Sequence, residues 1–107
     1  MTLTECPVRR TIDVLDGKWK PLILFSLKGG KLRYAKLRTE VREPSEKVLI
    51  EQLRQLEDEG IIERRSYLEV PPRVEYSITP YGNTLMPLLQ GMADWGSKHR
   101  ERITLDE

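Results

Sequence analysis

The chain has 107 residues, of which 38% are apolar and 33% are charged, and this predicts one domain with a single modest core. No apolar run approaches the roughly 18 residues that cross a bilayer, and the N-terminus lacks the basic and then apolar pattern of a signal peptide. We therefore expect a cytoplasmic protein with no membrane partner. The single cysteine, Cys6, excludes an internal disulfide, which agrees with a reducing compartment.

The net charge of +1 does not by itself indicate a nucleic-acid binder, but its distribution is uneven. Residues 17–38 contain basic side chains and no Asp or Glu, whereas acidic residues concentrate at 57–59 and at the C-terminus. A local basic face is compatible with phosphate binding. An uneven solvated surface is the alternative interpretation. The basic residues of this stretch are Lys18, Lys20, Lys28, Lys31, Arg33, Lys36 and Arg38.

Two helices are predicted at the start of the chain. Residues 7–16 place Val8, Ile12 and Leu15 on one face, with a proline in the first turn and Gly17 at the end. Residues 18–28 are apolar nearly all round, which predicts a buried central helix. The apolar positions of this second helix are Trp19, Leu22, Ile23, Phe25 and Leu27.

A helix-turn-helix is predicted next. After a short extended piece at Leu32, residues 34–41 form a helix, and a turn at 42–44 leads to a helix over 45–59. Ser45 is a good N-cap and Gly60 a stop signal for this last helix. Its leucines at 49, 53 and 56 form an apolar stripe, and polar residues lie opposite. Many ordinary amphipathic helices share that layout, so the neighbouring elements decide its meaning.

The second half of the chain predicts a hairpin and a final helix. Residues 61–67 and 73–79 have the alternation of strands, and a final helix begins with Thr79 as N-cap and Pro80 in its first turn. Three glycines in that helix cost about 1 kcal/mol each relative to Ala, which suggests that another helix approaches closely. Its apolar positions are Tyr81, Leu85, Leu88, Leu89, Met92 and Trp95, and its glycines are Gly82, Gly91 and Gly96.

The predicted fold is therefore mainly α with a small β-hairpin. It is a winged helix-turn-helix of about five helices and a two-stranded wing, in one domain over residues 1–107. Catalytic signatures are hard to find: His99 is the single histidine, and residues 28–31 lack the length and the ending of a phosphate-binding loop. We expect no enzyme and no metal site.

Several blocks of the chain resemble those of the HxlR-type helix-turn-helix regulators, within the MarR-like superfamily. The blocks are Cys-Pro-Val-Arg at 6–9, Gly-Lys-Trp-Lys at 17–20, Leu-Arg-Tyr-Ala-Lys-Leu at 32–37, Leu-Arg-Gln-Leu-Glu-Asp-Glu-Gly at 53–60, the wing at 70–79 and the terminal helix at 85–96. Each block alone is weak, but their order over nearly the whole chain is specific. The resemblance implies a homodimeric transcriptional regulator that binds double-stranded operator DNA without a cofactor.

The resemblance also implies roles for individual residues. The recognition helix, residues 45–59, would enter the major groove, and the wing near residues 71–73 would reach the flanking minor groove. Candidate DNA contacts are Arg33, Tyr34, Lys36, Ser45, Lys47, Ile50, Glu51, Arg54 and Arg73. Candidate dimer contacts are Val8, Ile12, Leu88, Met92 and Trp95, with an intramolecular core as the alternative for Trp95.

Three residues depart from the family pattern. Members commonly carry a small polar residue at the position of Ile50, Gln at that of Glu51 and an aliphatic residue at that of Pro44. An acidic side chain is repelled by phosphate unless it accepts a hydrogen bond from a cytosine amino group. The operator is therefore expected to differ from that of an average member.

Cys6 allows two interpretations. It precedes a helix, near Arg9 and Arg10, a setting that favours the reactive thiolate, and some members of the family sense oxidants through a Cys in this block. A small apolar filling residue is the alternative.

Two other functions stay open. Glu51 and the acidic residues 57–59 also suit a winged helix that binds proteins rather than DNA. A small-molecule effector could occupy an apolar pocket around Trp19, Phe25 and Trp95, although core packing is the commoner use of such residues.

Overall fold

The order of helices and strands is that of a winged helix-turn-helix. The computed structural model describes residue 2 and residues 5–106. Its elements are α1 (Pro7–Val14), α2 (Trp19–Ser26), β1 (Leu32–Arg33), α3 (Tyr34–Glu40), α4 (Glu46–Asp58), β2 (Ile62–Tyr67), β3 (Arg73–Ile78), a 3-10 helix (Gly82–Leu85) and α5 (Met86–Asp106). The predicted fold class and the predicted order of elements are confirmed.

The sheet has one strand more than the predicted hairpin. Its strand order is β1-β3-β2, with antiparallel pairing throughout. Leu32 pairs with Tyr76 and Arg33 with Glu75. A strand of two residues is too short to show alternation, so the sequence indicated only an extended piece there. The pairing ties the start of α3 to the wing.

The core lies between α2, α3 and the leucine face of α4. Leu49, Leu53 and Leu56 are each at most 1% exposed, and they share a core cluster with Ile23 and Leu37. Removing such side chains from water stabilises the fold by roughly 1.5–3 kcal/mol each. The predicted apolar stripe is therefore the anchor that fixes which side of α4 faces outward.

The second helix is less buried than predicted. Ile23, Leu24 and Leu27 are in the core, but Leu22 is exposed and Phe25 is half-buried. The prediction of burial nearly all round was wrong because α2 has eight residues and contacts the rest of the chain over only part of its circumference.

The final helix begins later than predicted. Thr79 does cap the segment, since its Oγ1 accepts a hydrogen bond from the Gly82 N–H at 2.9 Å, but the first turn is 3-10 and α5 starts at Met86. Pro87 explains the later start, because a proline fits the first turn of an α-helix and breaks its interior. A regular α-helix from Pro80 would have placed Pro87 in its third turn.

Gly82 has a local reason to be glycine. A Cβ at this position would collide with the backbone carbonyl of Ile61 and crowd the Ile78 side chain. At Gly82, the close approach is therefore made by backbone and not by another helix. At Gly91 and Gly96, a Cβ would meet no described atom within 4 Å outside the helix itself.

Candidate nucleic-acid interface

The recognition helix α4 is fixed at its start by its predicted cap. Ser45 has extended backbone angles, and its Oγ accepts a hydrogen bond from the Val48 N–H at 3.2 Å. Because the leucine face is buried, the opposite face is turned to solvent. Along that outward face lie Lys47, Glu51, Arg54 and Asp58, each on or near the line opposite the leucines.

The turn between α3 and α4 is held by two side chains of α3. The Arg38 guanidinium donates to the carbonyl oxygen of Pro44 at 2.6 Å and to that of Val41 at 3.4 Å. The Tyr34 hydroxyl donates to Oε1 of Glu46 at 3.1 Å. Partial burial and this contact with Glu46 raise the pKa of Tyr34. These bonds set the angle at which α4 leaves the turn.

Arg54 is occupied by carboxylates of its own helix. Nε donates to Oε2 of Glu51 at 3.1 Å, Nη2 donates to Oε1 of Glu51, and Nη1 donates to Oδ2 of Asp58 at 2.9 Å. Gln55 also donates to Glu51, at 3.2 Å. The hydrogen bonds from Arg54 and then Gln55 lower the pKa of Glu51, and the bond to Glu51 raises the pKa of Arg54.

A groove of about 650 Å³ separates the recognition helix from the wing. Ile50 of α4 and Pro71 and Pro72 of the wing loop line it, together with the start of α3. Two exposed cations, Arg33 and Arg64, also line it. Sequence reasoning missed Arg64, although strand alternation carries the signal: Arg64 pairs with Tyr76 and shares the face of β2 that begins with buried Ile62.

Arg73 does not extend freely from the wing. Its Nε lies 3.3 Å from both Glu69 and Glu75, in neither case with hydrogen-bond geometry. The guanidinium sits 4.0 Å over the Tyr67 ring, and its side chain is 25% exposed. Glu75 is itself buried and also accepts from Tyr67 at 3.3 Å. This cluster holds the Arg73 side chain against the base of the wing.

The remaining candidate contacts are solvent-facing. Lys47 is exposed, and Lys36 lies 3.9 Å from Glu40 in an exposed pair. Three of the candidate DNA contacts are therefore cations that stay available to a ligand. Arg33 and Lys47 are in no ion pair with a described residue, and Lys36 is only in the loose pair with Glu40.

The candidate dimer residues form an uncovered apolar surface on α1 and α5. Val8, Ile12, Leu88, Met92 and Trp95 are between 44% and 68% exposed, and none of the residues of α1 is buried. Trp95 is 68% exposed and therefore does not belong to the core of this chain; its ring stacks on His99 with centroids 4.9 Å apart. Cys6, the N-cap residue of α1, is free and half-buried, and neighbouring Arg9 donates to Asp13 at 3.0 Å.

Among the described residues, no group of three or more His, Cys, Asp or Glu side chains is placed to hold a metal ion. Nor does any helix in the described part of the chain combine the length and the apolar character needed to cross a membrane.

Comparison with known proteins gives one consistent result. The model of the HxlR-like helix-turn-helix family matches residues 14–104. An HTH-type transcriptional regulator of Bacillus subtilis strain 168, YdeP, itself uncharacterised, is 45% identical over 98 residues, covering 92% of this chain and 77% of YdeP.

Solved structures agree with the sequence comparison. A Porphyromonas gingivalis W83 protein assigned to the MarR family of transcriptional regulators superposes with a TM-score of 0.86 at 40% identity, over 91% of this chain and 95% of that one. The redox regulator HypR in its reduced form gives a TM-score of 0.86 at 39% identity, over 92% of this chain and 98% of HypR.

Proposed function

Because this chain belongs to the HxlR-like helix-turn-helix family of transcriptional regulators, we propose that it binds double-stranded operator DNA as a homodimer. In this proposal residues 45–59 enter the major groove, and the wing loop near residues 71–73 follows the flanking minor groove. The observation that carries it is the outward face of α4, which is anchored by three buried leucines and presents the exposed Lys47. The groove that Ile50 of the same helix lines carries Arg33 and Arg64 together with the acidic Glu69.

The residues divide by the contacts they can make. Arg33, Lys36 and Arg64 border the groove or the start of α3, where they can bind backbone phosphates and fix register without reading sequence. In this proposal Lys47, Ile50, Glu51 and Arg54 meet base edges. Ile50 is 49% exposed and can contact a thymine methyl. Arg73 is assigned mainly to support of the wing, since its guanidinium is held by the Glu75 cluster.

The uncovered surface of α1 and α5 supports the dimer. Exposed apolar side chains gathered on two helices commonly mark an interaction site, and a second copy of the chain would cover Val8, Ile12, Leu88, Met92 and Trp95. The open space at Gly91 and Gly96 would allow the partner helix to approach closely. Such a dimer can present two recognition helices about 34 Å apart, one turn of DNA.

Salt dependence tests this proposal against the protein-binding alternative. Operator DNA is first selected from a random pool, and its affinity is then measured by fluorescence anisotropy between about 50 and 200 mM salt. A dimer that makes 6–10 phosphate contacts should lose roughly 10³–10⁵-fold in affinity over that range. The absence of any selected sequence, or an affinity that does not change with salt, would support the protein-binding module.

A cytoplasmic location stays a prediction.

A redox response through Cys6 is a second proposal. HypR, 39% identical to this chain, is a redox regulator, and Cys6 is a free, half-buried thiol at the start of the proposed dimer helix α1. Two Cys6 thiols from two copies would lose two protons and two electrons to hydrogen peroxide, forming one disulfide and two waters. Peroxide should then yield a covalent dimer on a non-reducing gel and change operator affinity. The Cys6→Ser variant should show neither effect, and an equal response from this variant would refute the role.

A further inference from the structure

The outward face of the recognition helix is electrically balanced. Lys47 and Arg54 supply two positive charges, and Glu51 and Asp58 supply two negative ones. All three guanidinium nitrogens of Arg54 donate to these carboxylates, two of them to Glu51. Gln55 donates to the same Glu51 carboxylate and holds it in place. Before DNA binds, three of the five N–H donors of Arg54 are therefore already in use, one on each guanidinium nitrogen.

This arrangement affects generic and specific DNA differently. A DNA phosphate that draws Arg54 away from Glu51 leaves the Glu51 carboxylate facing the negatively charged DNA backbone. Replacing the bond to Glu51 by a bond to phosphate therefore adds little binding free energy. A guanine offers Arg54 two acceptors, O6 and N7, and a cytosine amino group offers Glu51 a donor. A DNA site with a guanine and a cytosine at neighbouring positions offers new hydrogen bonds to both Arg54 and Glu51, in place of the bonds that the two side chains make to each other.

We propose that Glu51 is a specificity-determining residue that acts by holding Arg54 until a site supplies a guanine edge for Arg54 and a cytosine amino group for itself. The inference rests on the proposed entry of α4 into the major groove. It assigns to Glu51 two effects: weaker binding to generic DNA and a requirement for cytosine at one operator position. Phosphate contacts by Arg54 would be suppressed as long as Glu51 is ionised.

The test compares Glu51→Gln with wild type on the selected operator and on a random duplex. The variant frees Arg54 for phosphate, so its affinity for the random duplex should rise, and its log–log salt slope should steepen by about 0.9 per protomer. The ratio of specific to generic affinity should fall. Replacing the required cytosine should weaken wild-type binding by roughly 10-fold or more and should affect the variant little.

Two controls separate this role from simple loss of a negative charge. Glu57→Gln removes the same charge from the same helix, and the Glu57 carboxylate makes none of the three bonds of Arg54. The double variant Glu51→Gln/Arg54→Gln removes the held side chain. The rise in affinity for the random duplex caused by Glu51→Gln should exceed that caused by Glu57→Gln, and it should vanish when the double variant is compared with Arg54→Gln alone.

The outcomes distinguish the two proposals. If wild type binds DNA with a steep salt dependence but Glu51→Gln behaves as Glu57→Gln does, the inference about Glu51 is wrong and the proposed function stands. A rise in affinity for the random duplex that Glu51→Gln still causes in an Arg54→Gln background also overturns the inference. If wild type shows no salt-dependent binding to DNA, the proposed function fails and this inference fails with it.

Discussion

Arg38 is expected to hold the helix-turn-helix in its shape, and Arg38→Met tests this directly. The methionine keeps most of the aliphatic volume but removes the charged donor to the Pro44 carbonyl, a 2.6 Å hydrogen bond. Hydrogen bonds that involve a charged group contribute about 1.5–3 kcal/mol. Because Pro44 is buried, water cannot easily replace the lost donor, and we expect a loss in this range.

Urea denaturation followed by circular dichroism measures the loss. With an m value of about 1–3 kcal/mol per M, the midpoint should fall by roughly 1 M. Wild type and variants must be compared at one protein concentration, since association adds to apparent stability.

The matched control is Lys36→Met, on the same helix. Lys36 lies 3.9 Å from Glu40, and the two side chains are 63% and 40% exposed, so its loss should cost less than about 1 kcal/mol. Equal midpoints for the two variants would refute the assignment of Arg38 as the residue that holds the turn.

Three further predictions follow from the contacts described above. Gly82→Ala should destabilise the fold by about 1–3 kcal/mol because the new Cβ would collide with the Ile61 carbonyl. Gly29→Ala should be tolerated, because a Cβ there meets nothing within 4 Å. Thermal melts in which Gly29→Ala is the less stable variant would contradict the close approach at Gly82. Trp95→Glu should shift the mass in analytical ultracentrifugation from dimer to monomer, whereas exposed Lys98→Glu should not; a dimeric Trp95→Glu variant would place the interface elsewhere. Carbon-detected NMR should find the Glu51 carboxyl titrating below the ordinary Glu range, and Arg54→Gln should raise its pKa, because bonds from Arg54 are the main cause of the shift. Since the folded-state pKa of Glu51 is the lower one, the pair stabilises the fold above the ordinary Glu pKa and loses this contribution as pH falls through the lowered value; an unchanged pKa in Arg54→Gln would contradict this cause.

The elements that depend on local pattern could be predicted from the sequence. Ser45 and the leucines of α4 carry a cap and a period that need no tertiary information, and both are present as expected. The later start of α5 was also encoded, in Pro87, but Thr79 and Pro80 offered an equally good local start. Strand β1 could not be recognised, because two residues show no alternation and the strand exists only through its pairing with β3.

The candidate site was harder to predict than the fold, because side chains choose partners that depend on register. Arg73 was expected to reach outward, yet the pairing of Tyr67 with Arg73 brings the guanidinium over the ring and beside buried Glu75. The bonds of Arg54 at i−3 and i+4 could have been inferred from spacing alone. Strand alternation puts Arg64 on the same face of β2 as Ile62, but only the packed sheet shows that Arg64 lines the groove with Ile50.

Methylation interference on the selected operator tests the central claim that a dimer reads DNA through two copies of α4. We predict two clusters of guanines whose N7 methylation blocks binding, centred 10–10.5 base pairs apart on one face of the duplex and related as an inverted repeat. Methylation at N7 blocks the acceptor that an arginine or a lysine would use in the major groove. A single cluster, or unimpaired binding to fully methylated operator, would contradict the claim.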